Sequence, residues 1–283
     1  MAGIRTVLLD RARGLPPEHQ ALIHPGWRRH LVPFGVVFAL VALFVFALDR
    51  FGFTFARIFG GIEQLGWIIY FMVPPNAEGQ FLFFARALGE TVAIALLGTL
   101  IGAILAFPLS LLAARNVMTN RIVQFMSRRT FDAVRGIDTL IWALIYVNVV
   151  GLGPFAGVLA IASSDMAGFA KIFSEAMEAT EGKASEGVRS TGGRRSAEIA
   201  FGLLPQVMPV LISQVLYFFE SNTRSATIIG IVGAGGIGLY LSDTIRTGEW
   251  QQVSMLILMI LVVVSVIDVI STRLRFAIIG KRG

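Results

Sequence analysis

The sequence predicts an all-α protein that crosses a membrane about six times. Of its 283 residues, 55% are hydrophobic and only 15% are charged, whereas a soluble domain of this length carries about a quarter charged residues. The mean hydropathy is +0.74. Long apolar runs separated by short charged segments are typical of a polytopic membrane protein with a single domain.

The first apolar run, Leu31–Leu48, is the first predicted span, because an uncharged helix of this length just crosses a hydrocarbon core of about 30 Å. The basic residues before it, 1–30, predict a cytoplasmic segment and a retained anchor rather than a cleaved signal peptide. Phe51–Val73 is ambiguous, since it is rich in aromatic residues but contains Arg57 and Glu63. It fits either a span or a helix that lies in the interface.

The second predicted span lies within Arg86–Ala114. Gly89, Gly98 and Gly102 are expected to let another helix approach it closely. The arginine-rich segment that follows, Arg115–Arg135, is predicted as a loop.

The third predicted span, Gly136–Val150, is short, and a tight hairpin is expected at Gly151–Pro154 because proline cannot continue the preceding helix. The fourth span ends near Ile172. Asp138 and Asp268 lie near predicted span ends, where solvation or a helix N-terminus lowers the cost of burying them.

The stretch Ser174–Pro209 is charged and contains glycine, so it cannot lie in hydrocarbon and is expected to face water. Phe201–Phe219 is the fifth predicted span. Glu220–Trp250 is predicted to be too glycine-rich for a plain helix in lipid, and Val253–Ile270 is the last span.

Positive charges predict which side each loop occupies. If Phe51–Val73 does not cross, most of the 24 lysine and arginine residues fall on the cytoplasmic side, as the positive-inside rule requires. Both termini are then cytoplasmic, Arg275 lies on the cytoplasmic side and Arg224 on the outer side. The predicted domains are a basic segment (1–30), a transmembrane domain (31–275) with a cytoplasmic loop (174–205), and a tail (276–283).

The composition also limits the chemistry that the chain can perform. Without cysteine there is no disulfide, thiolate metal site or cysteine nucleophile. All three histidines, His19, His24 and His30, precede the first apolar run and lack metal-ligand spacing. We therefore expect no metal and no cofactor.

Gly233, Gly235 and Gly238 form a G-x-G-x-x-G pattern, but the βαβ context of a dinucleotide site is missing. The glycines are better interpreted as a broken or tightly packed helix, which a membrane tolerates only where protein or a cavity surrounds it. The chain also lacks a P-loop, so an ATP-driven role would require a partner that binds ATP.

Polar residues inside predicted spans, and the polar run that directly follows the fifth span, are candidates for a translocation pathway, because burying each of them in lipid is costly. The candidates are Asn148, Gln214, Asn222, Thr223, Arg224 and Ser225.

The segment Glu186–Gly192 reads EGVRSTG, and Leu204-Pro205 follows at a fixed distance. This pattern resembles the cytoplasmic loop of ABC importer permeases, which reads Glu-Ala-Ala, three residues, Gly, nine residues, Ile, one residue, Leu-Pro. Gly187 and Val188 stand where the pattern has two alanines, and Gly202 stands where it has isoleucine. Three further segments look like the corresponding parts of phosphonate ABC transporter permeases: Gly89–Asn116, Arg135–Ala162 and Ser225–Gly238.

This resemblance implies a type I ABC importer permease fold and a transport subunit that is not itself an enzyme. It implies a homodimer in the cytoplasmic membrane, two ABC ATPase subunits that bind ATP and magnesium, an extracytoplasmic phosphonate-binding protein, and no nucleic acid partner. The cargo would be phosphonate or a related oxyanion such as phosphite or phosphate, with Arg224 and its neighbours contacting it near the outer mouth. A short helix, residues 185–193, would dock on the ATPase through Glu186, Gly187, Val188, Arg189, Thr191 and Gly192.

Two other classes of function remain open from the residues alone. An ion-coupled secondary transporter would use Asp138, Glu220 or Asp268 as a proton relay, but no inverted repeat is visible. A membrane-embedded enzyme would need a nucleophile with a base, and the predicted membrane domain has neither histidine nor cysteine.

Overall fold

A computed structural model describes residues 28–280, and throughout this range the regular structure is helical. The helices are α1 (Arg28–Arg50), α2 (Phe55–Phe71), α3 (Phe81–Ala113), α4 (Arg121–Arg135), α5 (Thr139–Val150), α6 (Pro154–Glu178), α7 (Lys183–Ser190), α8 (Arg195–Ala197), a π-helical turn (Glu198–Leu203), α9 (Leu204–Ile231), α10 (Ile237–Thr247) and α11 (Trp250–Ile279). The all-α prediction is confirmed. Most of the predicted basic segment 1–30 and the last three residues of the tail lie outside the described residues.

Five helices in the described range are long and apolar enough to cross a membrane, and the bent pair α4 and α5 makes a sixth if it is counted as one span. The five segments are Pro33–Arg50, Phe81–Ala113, Pro154–Glu178, Arg195–Ile231 and Trp250–Ile278. The prediction of about six spans is therefore confirmed.

The chain divides into two compact units, and the first ends at Ile68. In this unit α1 contains the whole of the predicted first span. The Arg57 guanidinium donates a hydrogen bond of 3.2 Å to the carbonyl of Gly52 in the turn after α1. Helix α2, of 17 residues, covers the ambiguous segment, and an interfacial position remains our prediction for it.

The second unit begins at Ile69 and contains the helices that carry the candidate sites. Its centre is the contact between α3 and α6. A Cβ atom added at Gly98 would lie 2.7 Å from Cβ of Ile161, and one at Gly102 would lie 3.0 Å from Cβ of Asp165. Residue 98 lies against 161 and residue 102 against 165, so the residue numbers increase in the same direction along both helices. The two helices therefore run parallel. Close approach is confirmed at these two glycines and wrong at Gly89, where such an atom would have no neighbour within 4 Å.

The predicted loop Arg115–Arg135 is mostly helix α4, which corrects the sequence interpretation. The Asn120 side chain caps it by accepting a hydrogen bond of 2.9 Å from the amide of Ile122. One face of α4 leaves Ile122, Phe125 and Met126 exposed. The frequent arginines hid this amphipathic pattern, and one of them, Arg129, lies on the same face with its guanidinium 5.1 Å from the centre of the Phe125 ring.

The predicted third span, Gly136–Val150, is not one straight helix but the second half of the bent pair of α4 and α5. Helix α5 has only 12 residues, and its axis is bent by 82° from that of α4. The Asp138 carboxylate caps α5 by accepting a hydrogen bond of 2.8 Å from the amide of Leu140. The expectation that a helix N-terminus accommodates Asp138 is confirmed.

The hairpin predicted at Gly151–Pro154 is confirmed, since α6 begins at Pro154. The amide of Gly153 donates a hydrogen bond of 2.9 Å to the carbonyl of Gly233. The hairpin is therefore attached to the glycine-rich turn between α9 and α10.

Helix α9 continues to Ile231, well past the predicted end of the fifth span at Phe219, so the predicted end of that span is wrong. The glycines that break the helix lie only after this point. Gly236 has φ +77°, and a Cβ atom at Gly238 would lie 1.9 Å from the carbonyl oxygen of Thr227. The interpretation as a broken, tightly packed helix is confirmed.

Candidate functional site

The polar loop contains the predicted short helix, which is α7. It begins at Lys183 and ends at Ser190. Gly192, with φ +80°, follows its end, and the amide of Gly193 donates a hydrogen bond of 3.2 Å to the carbonyl of Val188. Glycine suits this position because a left-handed residue closes the last turn of a helix.

Helix α7 packs backbone to backbone on the π-helical turn at the base of α9. A Cβ atom added at Gly202 would lie 2.8 Å from Cα of Ser185 and 2.9 Å from its hydroxyl. Gly202 is where the family pattern has isoleucine. The close approach of α7 explains why this chain has glycine there.

Glu198 is the charged centre of this region, and it is only 7% exposed. Its carboxylate accepts hydrogen bonds from Nε and a terminal nitrogen of Arg189, at 2.9 and 3.2 Å, and from Arg195 at 3.0 Å. The hydrogen bond to Glu198 raises the pKa of the Arg189 guanidinium. Sequence reasoning placed Glu186 and Arg189 on one face of α7 but missed Glu198, although its position three residues after Arg195 is a usual spacing for an ion pair.

A second set of contacts joins this region to α3 and α6. The Arg195 guanidinium donates a hydrogen bond to the backbone carbonyl of Asn116. The side-chain amide of Asn116 donates one of 2.6 Å to the backbone carbonyl of Met177. Glu178 accepts hydrogen bonds from the amide of Arg115 at 2.6 Å and from the Arg128 guanidinium at 2.5 Å. The loop after α3 therefore connects the C-terminal end of α6 to the base of α9.

The predicted docking residues lie on α7 and in the turn that follows it. Glu186, Gly187, Arg189, Thr191 and Gly192 are exposed, and Val188 is half-buried. A cavity of about 260 Å³ adjoins them, with Glu186 and Arg189 among its lining residues. Arg189 also forms the ion pair with Glu198, so it belongs to the side of α7 that is fixed to the base of α9, whereas Glu186 and Gly187 lie on the exposed side.

Replacing Gly202 with valine is expected to force α7 away from the π-helical turn, because the new side chain would overlap the backbone of Ser185. Overpacking of this kind costs about 1–3 kcal/mol. The rate of tryptic cleavage after Lys183 and Arg189 measures the opening, and it should rise.

The matched control is Gly187→Ala, since an added Cβ there has no neighbour within 4 Å. Alanine should stabilise α7 by roughly 0.5–1 kcal/mol relative to glycine. Equal cleavage rates in the wild type and the Gly202→Val variant would contradict the close packing.

A separate polar cluster lies inside the helix bundle, near the middle of three helices. The Asn222 amide on α9 donates a hydrogen bond of 2.8 Å to the Thr99 hydroxyl on α3 and another to the Asp165 carboxyl group on α6. All three residues are buried. The cluster therefore ties α3, α6 and α9 together away from solvent.

The six predicted pathway residues do not share one environment. Asn222 and Thr223 are buried, and the Thr223 hydroxyl donates a hydrogen bond of 3.0 Å to the carbonyl of Phe219. Ser225 and Gln214 are half-buried on α9. Asn148 is exposed on α5, and its amide donates a hydrogen bond of 2.7 Å to the carbonyl of Leu144.

Arg224, the sixth, belongs to a charged group around Glu220. The Glu220 carboxylate lies 3.6 Å from a terminal nitrogen of Arg224 on α9 and 2.8 Å from one of Arg275 on α11. The charge count put the two arginines on opposite sides of the membrane. This assignment is wrong, because both guanidinium groups reach the same carboxylate. A charge count locates each arginine by its position in the sequence, so it could not reveal that the two side chains meet.

Residues 106–280 match the model of the family described as the binding-protein-dependent transport system inner membrane component. HtxC of Stutzerimonas stutzeri, named as a phosphite transport system permease protein, is 38% identical over 255 residues, which cover 90% of this chain and 89% of HtxC. PhnE2 of Escherichia coli, named as a cryptic phosphonate transport system permease protein, is 54% identical over 105 residues, 37% of this chain and 86% of PhnE2.

Among solved structures, the chain resembles one from the MetNI methionine ABC transporter in an inward-facing conformation. The TM-score is 0.64 at 19% sequence identity, and the match covers 72% of this chain and 99% of the other. At this identity the likeness concerns the fold alone.

Proposed function

Since the chain belongs to the family of inner membrane components of binding-protein-dependent transport systems, we propose that it is the permease subunit of an importer of phosphorus oxyanions. The cargo class follows from the relatives, whose names refer to phosphite and phosphonate transport. The protein is a multi-pass protein of the cell membrane and not an enzyme in its own right.

The partners follow from the role of such a subunit. An ATPase partner supplies the energy, and a binding protein delivers the cargo. In our proposal two copies of this chain form a homodimer with the pore between them, two ATPase subunits bind ATP and magnesium on the cytoplasmic side, and the binding protein outside is specific for phosphonate or a related oxyanion.

The observation that carries the coupling proposal is the two-sided character of α7. Its inner face is fixed to the base of α9 by Gly202 and the Glu198 ion pairs, while its outer face is exposed. We propose that Glu186, Gly187, Val188, Arg189, Thr191 and Gly192 dock on the ATPase. A displacement of α7 would then move the base of α9, because the Gly202 packing and the Glu198 ion pairs join the two.

Helix α9 would transmit this motion to the pathway. Gln214, Arg224 and Ser225 lie on α9 with partly or fully exposed side chains, and Asn148 is exposed on α5. In our proposal these residues line the pathway, whereas the buried Asn222 and Thr223 support it from within. Alternating binding and hydrolysis of ATP would switch the opening of the pore between the two sides.

The ion-coupled alternative is not favoured. Its proton relay would need carboxylates that can accept and release protons freely, and Glu220 pairs with two arginines instead. Family membership also argues against it.

The test uses the complete importer, with its ATPase and binding protein, reconstituted in liposomes. We expect ATP-dependent uptake of methylphosphonate, phosphite or phosphate, and stimulation of ATP hydrolysis by the loaded binding protein. Replacing Glu186 with lysine should reduce that stimulated hydrolysis to the basal rate, because the charge of an exposed docking residue is reversed.

The control is Glu249→Gln, an exposed carboxylate before α11, which should leave the stimulated rate unchanged. Full stimulation in the Glu186→Lys variant would overturn the docking role of α7. Failure of the wild type to take up any of the three oxyanions would overturn the proposed cargo.

A further inference from the structure

The charged group of Glu220, Arg224 and Arg275 has one carboxylate for two guanidinium groups, so it retains an excess positive charge. Glu220 is 8% exposed, whereas the side chain of Arg224 is 51% exposed. The contact of Arg224 with the carboxylate is also the longer one, at 3.6 Å against 2.8 Å for Arg275. Arg224 therefore has donor nitrogens free to meet a second anion.

Both arginine side chains turn back along their own helices toward the N-terminal ends. Arg224 lies in the C-terminal half of α9, and its guanidinium contacts Glu220, one turn closer to the N-terminal end. Arg275 lies near the C-terminal end of α11, and its guanidinium likewise turns back to the Thr272 hydroxyl, at 3.0 Å. Helix geometry favours this direction, because side chains lean toward the N-terminus.

The same group includes an aromatic ring that orients Arg275. The Arg275 guanidinium lies 5.8 Å from the centre of the Tyr217 ring on α9. Together with Glu220 and Thr272, this ring fixes the position of Arg275 without using all of its donors. Arg275 is thus the fixed arginine of the pair and Arg224 the accessible one.

An exposed guanidinium in the span of α9 cannot face hydrocarbon without a large cost. The exposed side of Arg224 must therefore be covered by protein or lie against water inside the membrane. In a permease, water inside the membrane fills the translocation pathway. Arginine is suited to phosphorus oxyanions, since its planar fork donates two parallel hydrogen bonds to their oxygens.

Resting on the proposed function, we propose that Arg224 and Arg275 form a transient binding site for the phosphorus oxyanion within the pathway, with Glu220 as the competing anion. In the empty protein the carboxylate occupies the arginines. An arriving oxyanion takes over part of its hydrogen bonds, and the carboxylate reclaims them when the oxyanion leaves. Such competition keeps binding weak enough for release, as transport requires.

The experiment compares Arg224→Gln with Arg246→Gln, an exposed arginine on α10, in the full reconstituted importer. Uptake of labelled methylphosphonate and stimulated ATP hydrolysis are measured in the same vesicles. We expect uptake in Arg224→Gln to fall at least about tenfold, the effect of losing one good charged contact, while ATP hydrolysis stays within about twofold of the wild type. Arg246→Gln should match the wild type in both.

A second variant, Glu220→Gln, tests the competition directly. Without the competing charge, the purified complex of permease and ATPase should retain labelled methylphosphonate in equilibrium dialysis without the binding protein, and adding Arg224→Gln should abolish this retention. Wild-type uptake in Arg224→Gln, or a parallel loss of uptake and hydrolysis, would overturn the site. If the wild type transports no phosphorus oxyanion, the proposed function fails instead.

Discussion

Replacing Glu198 with glutamine is expected to reduce the stimulated ATP hydrolysis of the reconstituted importer to its basal rate. The carboxylate is the common partner of Arg189 on α7 and Arg195 on α8. Glutamine has a similar shape but no charge, so both guanidinium groups lose their ionic partner. Helix α7 would then move independently of α9, and force applied to it would not reach the membrane helices.

The measurement is ATP hydrolysis with and without loaded binding protein, together with thermal unfolding of the purified complex. The matched control is Glu181→Gln, whose ion pair with Lys183 at 3.2 Å is exposed on both sides, because exposed pairs of this kind contribute little. Both variants should unfold at nearly the same temperature as the wild type. Retention of stimulated hydrolysis in Glu198→Gln would show that α7 is held by its backbone packing alone.

Replacing Asn222 with leucine is expected to lower the stability of the membrane domain by about 1–3 kcal/mol, the cost of leaving buried polar groups without partners. The amide donates hydrogen bonds to both Thr99 and Asp165. Leucine fills a similar volume but donates nothing. The free energy of unfolding can be measured by titration with a denaturing detergent.

Two further variants make this result specific. Asn148→Leu should change the unfolding free energy by no more than about 0.5 kcal/mol, since the Asn148 side chain is exposed. The double variant Asp165→Leu/Asn222→Leu should recover part of the loss, because removing both partners of a buried hydrogen bond is less costly than removing one. No loss in Asn222→Leu would mean that the cluster contributes nothing to the bundle.

Composition and apolar run length were sufficient to predict the all-α membrane fold, because a span must have a minimum length and few charges. Local signals with a direct steric cause were also read correctly. Pro154 starts a helix and Gly98 allows close packing, and both effects depend on the residue itself and its immediate neighbours.

Errors arose where the outcome depended on a partner distant in the sequence. Helix α9 continues through Asn222 because Thr99 and Asp165 receive its polar side chain, and neither could be identified as its partner from local sequence. Gly136–Val150 was interpreted as a complete span because the preceding segment was taken for a loop, whereas that segment is α4 and forms a bent pair with α5. The contact between the side chains of Arg224 and Arg275 and the carboxylate of Glu220 was also missed. Arg275 is distant from Glu220 in the sequence, so local sequence could not identify it as a partner.

The polar loop ends in the π-helical turn Glu198–Leu203, which leads directly into α9. The number of residues in this loop therefore matters independently of its charges. A π-helical turn holds one more residue than an α-helical turn, and one residue corresponds to a rotation of about 100° around a helix axis. Deleting a residue there would rotate all of α9, turning Asn222 away from its two partners and Glu220 away from Arg275. The number of residues between α7 and α9 therefore sets the rotational register of the helix that carries both polar groups.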